Sequence, residues 1–183
     1  MINSIDDGLT LWINSWAGHS QLADFLVVWV SAVGVPILVF AVACQWWTSQ
    51  DRLHTRHILL AAGFSFLLGL AVNQLILLFI QRIRPYEVGM THLLIPPTSD
   101  PSFPSDHATA SFAIAAAFLL HRFRGAGIFL VAAILVSLTR IYIGIHYVTD
   151  ILGGALTGIS AAGLVWGMFR EGTRIDRFLT KLF

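Results

Sequence analysis

Charge is scarce in this chain. Asp, Glu, Lys and Arg make up 11% of its 183 residues, against 56% hydrophobic residues. Soluble domains carry about 25% charged residues, so an ordinary soluble fold is excluded and a membrane protein is expected. Cysteine is almost absent too. The single Cys44 rules out a disulfide within the chain and leaves the redox compartment unread. Set in an apolar run, it reads as a buried, inert thiol. No basic face with interleaved aromatics exists and the net charge is only +1, which argues against a nucleic-acid partner. The start, Met1-Ile2-Asn3-Ser4-Ile5-Asp6-Asp7, lacks the basic residues of a cleaved signal peptide, so the first apolar run is expected to stay as a span.

What the chain has is long apolar runs. Residues 25–50 and 57–81 contain no Asp, Glu, Lys or Arg. Both exceed the roughly 20 residues a helix needs to cross the hydrocarbon core. Residues 107–121, 125–145 and 151–169 form three more runs, the first able to begin near Pro104, since proline suits a first helical turn. Alanine and glycine recur in these three and let helices approach closely in lipid. The first ~20 residues place Leu9, Trp12, Ile13 and Trp16 at helical spacing. That pattern fits an amphipathic helix lying on the interface, or equally a helix packed on the first span. The expected fold is therefore all-α: a polytopic membrane bundle of about five transmembrane helices plus an N-terminal amphipathic or interfacial helix. There is no internal repeat, so residues 1–183 read as one domain; the oligomeric state is open, a homo-oligomer included.

Five spans put Arg52, Arg56, Arg122, Arg124, Arg170, Arg174, Arg177 and Lys181 on one side, eight of the eleven Lys and Arg. By the positive-inside rule that side, with the C-terminus, is expected to be cytoplasmic. Arg82, Arg84 and Arg140 fall on the other side, each within a polar knot. The knots are Arg82-Ile83-Arg84-Pro85, Ser102-Phe103-Pro104-Ser105-Asp106-His107 and Thr139-Arg140 through His146 to Asp150. Ionisable groups at membrane depth are costly and mark working sites. The topology brings all three knots to one face.

The residue types suggest an anion site with acid–base chemistry. His146 and Asp150 at i, i+4 share a helix face; the carboxylate either orients the imidazole for attack or caps the last span. Arg140 and Arg84 suit a phosphate dianion. Pro85 predicts that the second span ends near Arg84. Arg82 either joins them or snorkels to headgroups. Ser105 and His107 open a helix, where backbone N–H groups bind anions and a histidine can protonate a leaving oxygen; Asp106 reads as the helix cap. A metal held by His107, His146, Asp106 and Asp150 is the alternative, opposed by the nearby arginines. His19, His54, His57, His92 and His121 read as surface or interface residues.

Arg84-Pro85, Pro104-Ser105-Asp106-His107, and Thr139-Arg140 with His146 and Asp150 together resemble the type 2 phosphatidic acid phosphatase family of membrane lipid phosphatases, over about residues 55–170. The resemblance implies a hydrolase without metal or organic cofactor. His146 would form a phosphohistidine and Asp150 would orient it. His107 would protonate the leaving group and later activate water. Arg84, Arg140 and Ser105 would hold the phosphoryl oxygens, with Arg82 as a substitute for the family's missing lysine. That lysine position is Leu77; Asp106 replaces a glycine and Thr139 a serine. The lost lysine, Pro-Ser-Asp-His and Leu93-Leu94-Ile95-Pro96 look like the bacterial undecaprenyl-diphosphate phosphatase branch. The implied substrate is a polyprenyl diphosphate, undecaprenyl diphosphate giving undecaprenyl phosphate, met at the outer face of a bacterial inner membrane. Phosphatidylglycerol phosphate, phosphatidate, lipid A, or non-catalytic binding of an anionic lipid are the alternatives.

Overall fold

The computed structural model describes residues 2–47 and 51–181. Among the described residues all the regular structure is helical: α1 (Ile2–Asn14), α2 (Gln21–Cys44), α3 (Arg52–Leu77), α4 (Asp106–Leu120), α5 (Ala126–Tyr142), α6 (Val148–Met168) and α7 (Arg174–Lys181). Helices α2, α3 and α6 are long and apolar enough to cross a membrane. α4 and α5, with 15 and 17 residues, are shorter. At 1.5 Å per residue they reach about 22 and 26 Å, against a hydrocarbon core of about 30 Å. They cover the bundle's depth nonetheless. At one end of α4, Asp106 accepts a 2.7 Å hydrogen bond from Asn73, near the end of α3. At the other, His121 meets His57, near the start of α3, at 3.2 Å.

Similar contacts fix the remaining directions. Tyr142 at the end of α5 donates to Asp24 at the start of α2 (2.8 Å). Phe169, just past α6, stacks on His57 at 4.8 Å between centroids. Helices α2 to α6 therefore run alternately down and up, and α1 lies at the end where α3 finishes and α4 begins. The chain is an integral-membrane helical bundle. The centre is built from α3, α4 and α6, with α5 beside α4 and α2 outermost on α5. Phe118, fully buried, stacks on Phe129 at 4.3 Å in the core. At the far end α7 is tied down by Asp176, which accepts from His57 at 2.8 Å, and by Arg56, which donates to the Thr180 carbonyl at 2.9 Å.

Several expectations need correction. α3 stops at Leu77, seven residues before Arg84, because the chain must turn back for Arg84 to reach the bundle interior. α4 starts at Asp106, not Pro104, and its cap is Ser105, whose hydroxyl accepts from the Ala108 N–H; Asp106 is already in the first turn. Cys44 is exposed on the outside of α2, the face a membrane span turns to lipid. His57 is not a surface residue: it is 2% exposed and paired with Asp176.

The α4–α6 contact depends on two glycines. A Cβ on Gly154 or Gly158 would overlap the backbone carbonyl of Ser105 or Thr109. Small residues give such close approach in lipid, where hydrophobic burial no longer drives helices together. Gly163, lower on α6, faces open space. Gly158→Ala is expected to cost about 1–3 kcal/mol through overpacking, lowering the apparent Tm of the detergent-solubilised protein, while Gly163→Ala leaves it unchanged. Equal Tm values for the two variants would contradict this packing.

Candidate active site

The three polar knots meet at the end of the bundle where α1 lies. They enclose a cavity of about 230 Å³ lined by Arg84, Asp100, Asp106, His107, Arg140 and His146, with Leu77 on its wall. Arg84 comes from the loop after α3, His107 from the first turn of α4, Arg140 from the last turn of α5, and His146 from the turn before α6. That last turn is sharp because Gly144 takes φ +87°, and a Cβ there would collide with the His92 carbonyl.

His146 is 4% exposed. Its Nδ1 lies 3.4 Å from Asp150 Oδ2 and 3.5 Å from Ser102 Oγ. Those neighbours place the proton on Nδ1 and leave Nε2 with a free lone pair. Among the described residues Nε2 has no hydrogen-bond partner. Burial pulls the imidazole below its ordinary pKa, and Arg84 and Arg140 add to this, against the opposing pull of Asp150. The ring is therefore neutral and nucleophilic near pH 7. The i, i+4 pairing is not across a helix face as the spacing suggested. His146 precedes α6, and Asp150, in its first turn, folds back to accept from the Tyr147 N–H at 2.8 Å.

Asp150 is fully buried and does not line the cavity; it stands behind His146. Oδ1 accepts from Arg82 at 2.7 Å, and Oδ2 accepts from Ser102 at 2.5 Å as well as from Tyr147. Arg82 is thus placed away from the position expected for a phosphate ligand: its guanidinium bridges Asp150 and Asp6 and is absent from the cavity wall. Burial works against its charge, but the two carboxylates prevail and hold its pKa above the usual value. Ser105 is absent from the wall also, its hydroxyl turned into the α4 cap. His107, Arg84, Arg140 and His146 are brought together as expected.

The two cavity arginines differ. Arg84, 4% exposed, donates to the Ile145 and Asp100 carbonyls (both 2.9 Å) and to the Asp100 carboxylate (2.8 Å). Burial would raise the Asp100 carboxyl, yet Arg84 and nearby hydrogen bonds bring it below the usual range. Among the described residues Arg140 forms no ion pair. One nitrogen donates to the Ser31 hydroxyl (2.6 Å), and its buried Nε has no partner among the described residues. A buried guanidinium with no direct ion pair among the described residues, beside a second arginine, is suited to an anion. Among the described residues no group of three or more His, Cys, Asp or Glu is placed to hold a metal.

Sequence reasoning assigned no role to Ser102, although it opens the second polar knot, nor to Asp6, Asp100 or Asn73. Ser102 begins that knot and Asp100 lies just before it, and nothing local shows that either side chain turns to the site. Asn73, fully buried, is an amide inside an apolar run, a signal that was there to read.

Residues 58–174 match the family model of the PAP2 superfamily. The chain is 30% identical over 149 residues to undecaprenyl-diphosphatase BcrC of Bacillus subtilis, covering 80% of this chain and 75% of that protein. It is 29% identical over 172 residues to putative undecaprenyl-diphosphatase YbjG of Escherichia coli, covering 91% and 85%. Among solved structures, a transmembrane PAP2 type phosphatidylglycerolphosphate phosphatase from Bacillus subtilis shares the fold, with a TM-score of 0.67, 24% identity and coverage of 94% of this chain and 88% of that one. The class is thus a membrane lipid phosphatase, a hydrolase acting on lipid substrates. The chain belongs to the PAP2 superfamily.

The Asp100 carboxylate holds Arg84 where a phosphoryl oxygen would compete for it. Asp100→Asn is expected to tighten inhibition by vanadate about two- to tenfold, given the strength of charge-assisted pairs. An unchanged or weaker inhibition constant would show that Asp100 does not compete with an anion.

Proposed function

We propose that this chain hydrolyses an isoprenoid lipid diphosphate, converting undecaprenyl diphosphate to undecaprenyl phosphate, at the outer face of a bacterial cell membrane. One observation carries the reading: a buried arginine with no direct ion pair among the described residues, Arg140, shares a cavity with a buried neutral imidazole backed by Asp150. Such a cavity suits phosphoryl transfer, which depends mainly on positioning and charge stabilisation.

In this reading Nε2 of His146 attacks the terminal phosphorus. The P–N bond forms as the P–O bond to the lipid phosphate breaks, and His107 gives its proton to the leaving oxygen. His107 then takes a proton from water, which attacks the phosphorus; the P–N bond breaks and inorganic phosphate leaves. Arg84 and Arg140 hold the oxygens throughout. Asp150 orients the ring and stabilises the positive charge it gains. Arg82 and Ser105 are left out of the oxygen-holding set, because their side chains are committed to Asp150 and to the α4 cap.

The diphosphate assignment is supported by Leu77 on the cavity wall where the family carries lysine, and by the names of the relatives above. The orientation is supported by charge. The end opposite the cavity carries Arg52 and Arg56 at the start of α3, Arg122 and Arg124 between α4 and α5, and Arg170, Arg174, Arg177 and Lys181 around α7. The positive-inside rule makes that end, with the C-terminus, cytoplasmic.

The test is kcat/KM for phosphate release across undecaprenyl diphosphate, undecaprenyl phosphate, phosphatidylglycerol phosphate and phosphatidate. The diphosphate should lead by tenfold or more, with activity retained in chelator. A lead for another lipid would reassign the substrate, and no release from any of them would leave only lipid binding. His146→Ala should lower kcat by at least about a thousandfold, as loss of a nucleophile does. The pH profile follows from burial. Because the folded pKa of His146 lies below the ordinary value of about 6.5, the neutral nucleophile persists into mild acid. The acid limb of kcat/KM should fall below that value, and a limb at or above it would contradict a buried neutral imidazole.

A further inference from the structure

α1 lies outside the residues matched by the family model. Its side chains nevertheless reach the turn that carries His146. Asp6, Thr10 and Asn14, at i, i+4 and i+8, form one helix face that points inward; the three are 4%, 0% and 4% exposed. Ile5, Leu9 and Trp12 are exposed. The helix is polar toward the protein and apolar outward, the reverse of a soluble surface helix.

Each inward residue holds part of the turn. Asn14 donates to the Tyr142 carbonyl (2.7 Å) at the end of α5. Thr10 Oγ1 accepts from the Val148 N–H (3.1 Å), and Asp6 Oδ1 accepts from the Thr149 N–H (2.9 Å). These are orphan donors of the first turn of α6, normally met by a helix's own cap. Asp6 Oδ2 also accepts from the Thr149 hydroxyl (2.6 Å) and from Arg82 (2.7 Å). The other end of the Arg82 guanidinium reaches Asp150, and its central carbon Cζ lies 3.7 Å from the centre of the Tyr147 ring. An unbroken chain of contacts runs Asp6–Arg82–Asp150–His146.

The charge balance gives the chain a purpose. Arg82 alone would neutralise Asp150 and weaken its hold on the His146 Nδ1–H. Asp6 engages the second nitrogen of Arg82, and its desolvation is outweighed by that bond and those from Thr149, so its carboxyl stays below the usual range. Two carboxylates sharing one guanidinium keep a net negative charge beside the imidazole. We propose that Asp6 is a positioning residue for the reaction: acting through Arg82, it fixes Asp150 and thereby the orientation and charge of His146, so that the N-terminal helix is part of the catalytic unit. This rests on the reaction proposed above.

The charged and titratable groups around His146 are Asp150 from α6, Arg140 from α5, His107 from α4 and Arg84 from the loop after α3, with Asp100 from that loop and Asp106 from α4 on the same cavity wall. Asp6 acts on it only through Arg82. Asp6→Asn keeps the shape and removes the charge. It should lower kcat about ten- to a hundredfold by misplacing the reacting groups, leave KM within about twofold, and move the acid limb of kcat/KM to lower pH, since lost negative charge disfavours imidazolium. Asp6→Glu should recover most of kcat. Thr10→Ala and Asn14→Ala loosen α1 without changing the charge on Arg82 and should keep the wild-type limb. If Asp6→Asn does not fold, Arg82→Lys tests the same link: it should lower kcat and spare KM, and wild-type kcat in that variant overturns the proposal. Wild-type kcat with an unmoved limb in Asp6→Asn overturns it too, as does an equal limb shift in Thr10→Ala, which would reduce α1 to a structural brace. Failure of the reaction itself looks different: His146→Ala would then stay active, whereas failure of this proposal leaves His146→Ala dead and Asp6→Asn intact.

Discussion

A carboxylate sealed inside a membrane protein must be compensated, and the compensation of Asp150 organises this molecule. An unpaired buried charge costs several kcal/mol even after relaxation. Asp150 has donors from four places: Arg82 after α3, Ser102 before α4, the Tyr147 backbone at the start of α6, and His146 in the turn after α5. Satisfying that one group draws together the segments that join the spans. Ser102 in turn donates its backbone N–H to the Arg82 carbonyl, so two of these donors are locked to one another (2.8 Å). The loops are therefore ordered by electrostatic need, and the cavity forms in the space they leave.

Inside that cavity the charges are deliberately unequal. Arg84 is held by two backbone carbonyls and shared with Asp100, whose side chain is largely exposed. Arg140 leans on a hydroxyl alone. One arginine is fixed and the other keeps unmet donor capacity, which is the arrangement an incoming dianion can exploit. Leu77 keeps a further cation off the wall. Close packing of α4 on α6 through Gly154 and Gly158 holds His107 and His146 at a set spacing, since His107 lies in the first turn of α4 and His146 in the turn that leads into α6.

Much of this was legible in the sequence. Uncharged runs gave the spans, and the placement of basic residues outside the knots implied that Arg84, His107, Arg140 and His146 share one face, where the structure puts them. What was not legible lies in short-range geometry. Nothing in the sequence around Arg82 says whether it turns to a ligand or to Asp150; that depends on Asp6, 76 residues away. The i, i+4 spacing of His146 and Asp150 suggested a helix face, but the pairing comes from a carboxylate folding back over the start of α6. The apolar residues of α1 left it either interfacial or packed on the first span, whereas the polar residues between them, which bond to the end of α5 and the start of α6, are ones hydropathy reads as background. Cys44 and His57 were misjudged for one reason: in a bilayer, apolar helix faces point outward and polar contacts gather inside.

The central claim is that His146 Nε2, aimed by Asp150, bonds to phosphorus. Rapid acid-free quenching of the enzyme during turnover of a diphosphate lipid carrying 32P in its terminal phosphoryl group, followed by peptide mapping, tests it directly. The account predicts an acid-labile, base-stable phosphoryl group on His146 that forms and decays at rates compatible with kcat. A label on His107 or another residue, or full turnover with no labelled protein at any time, would contradict it.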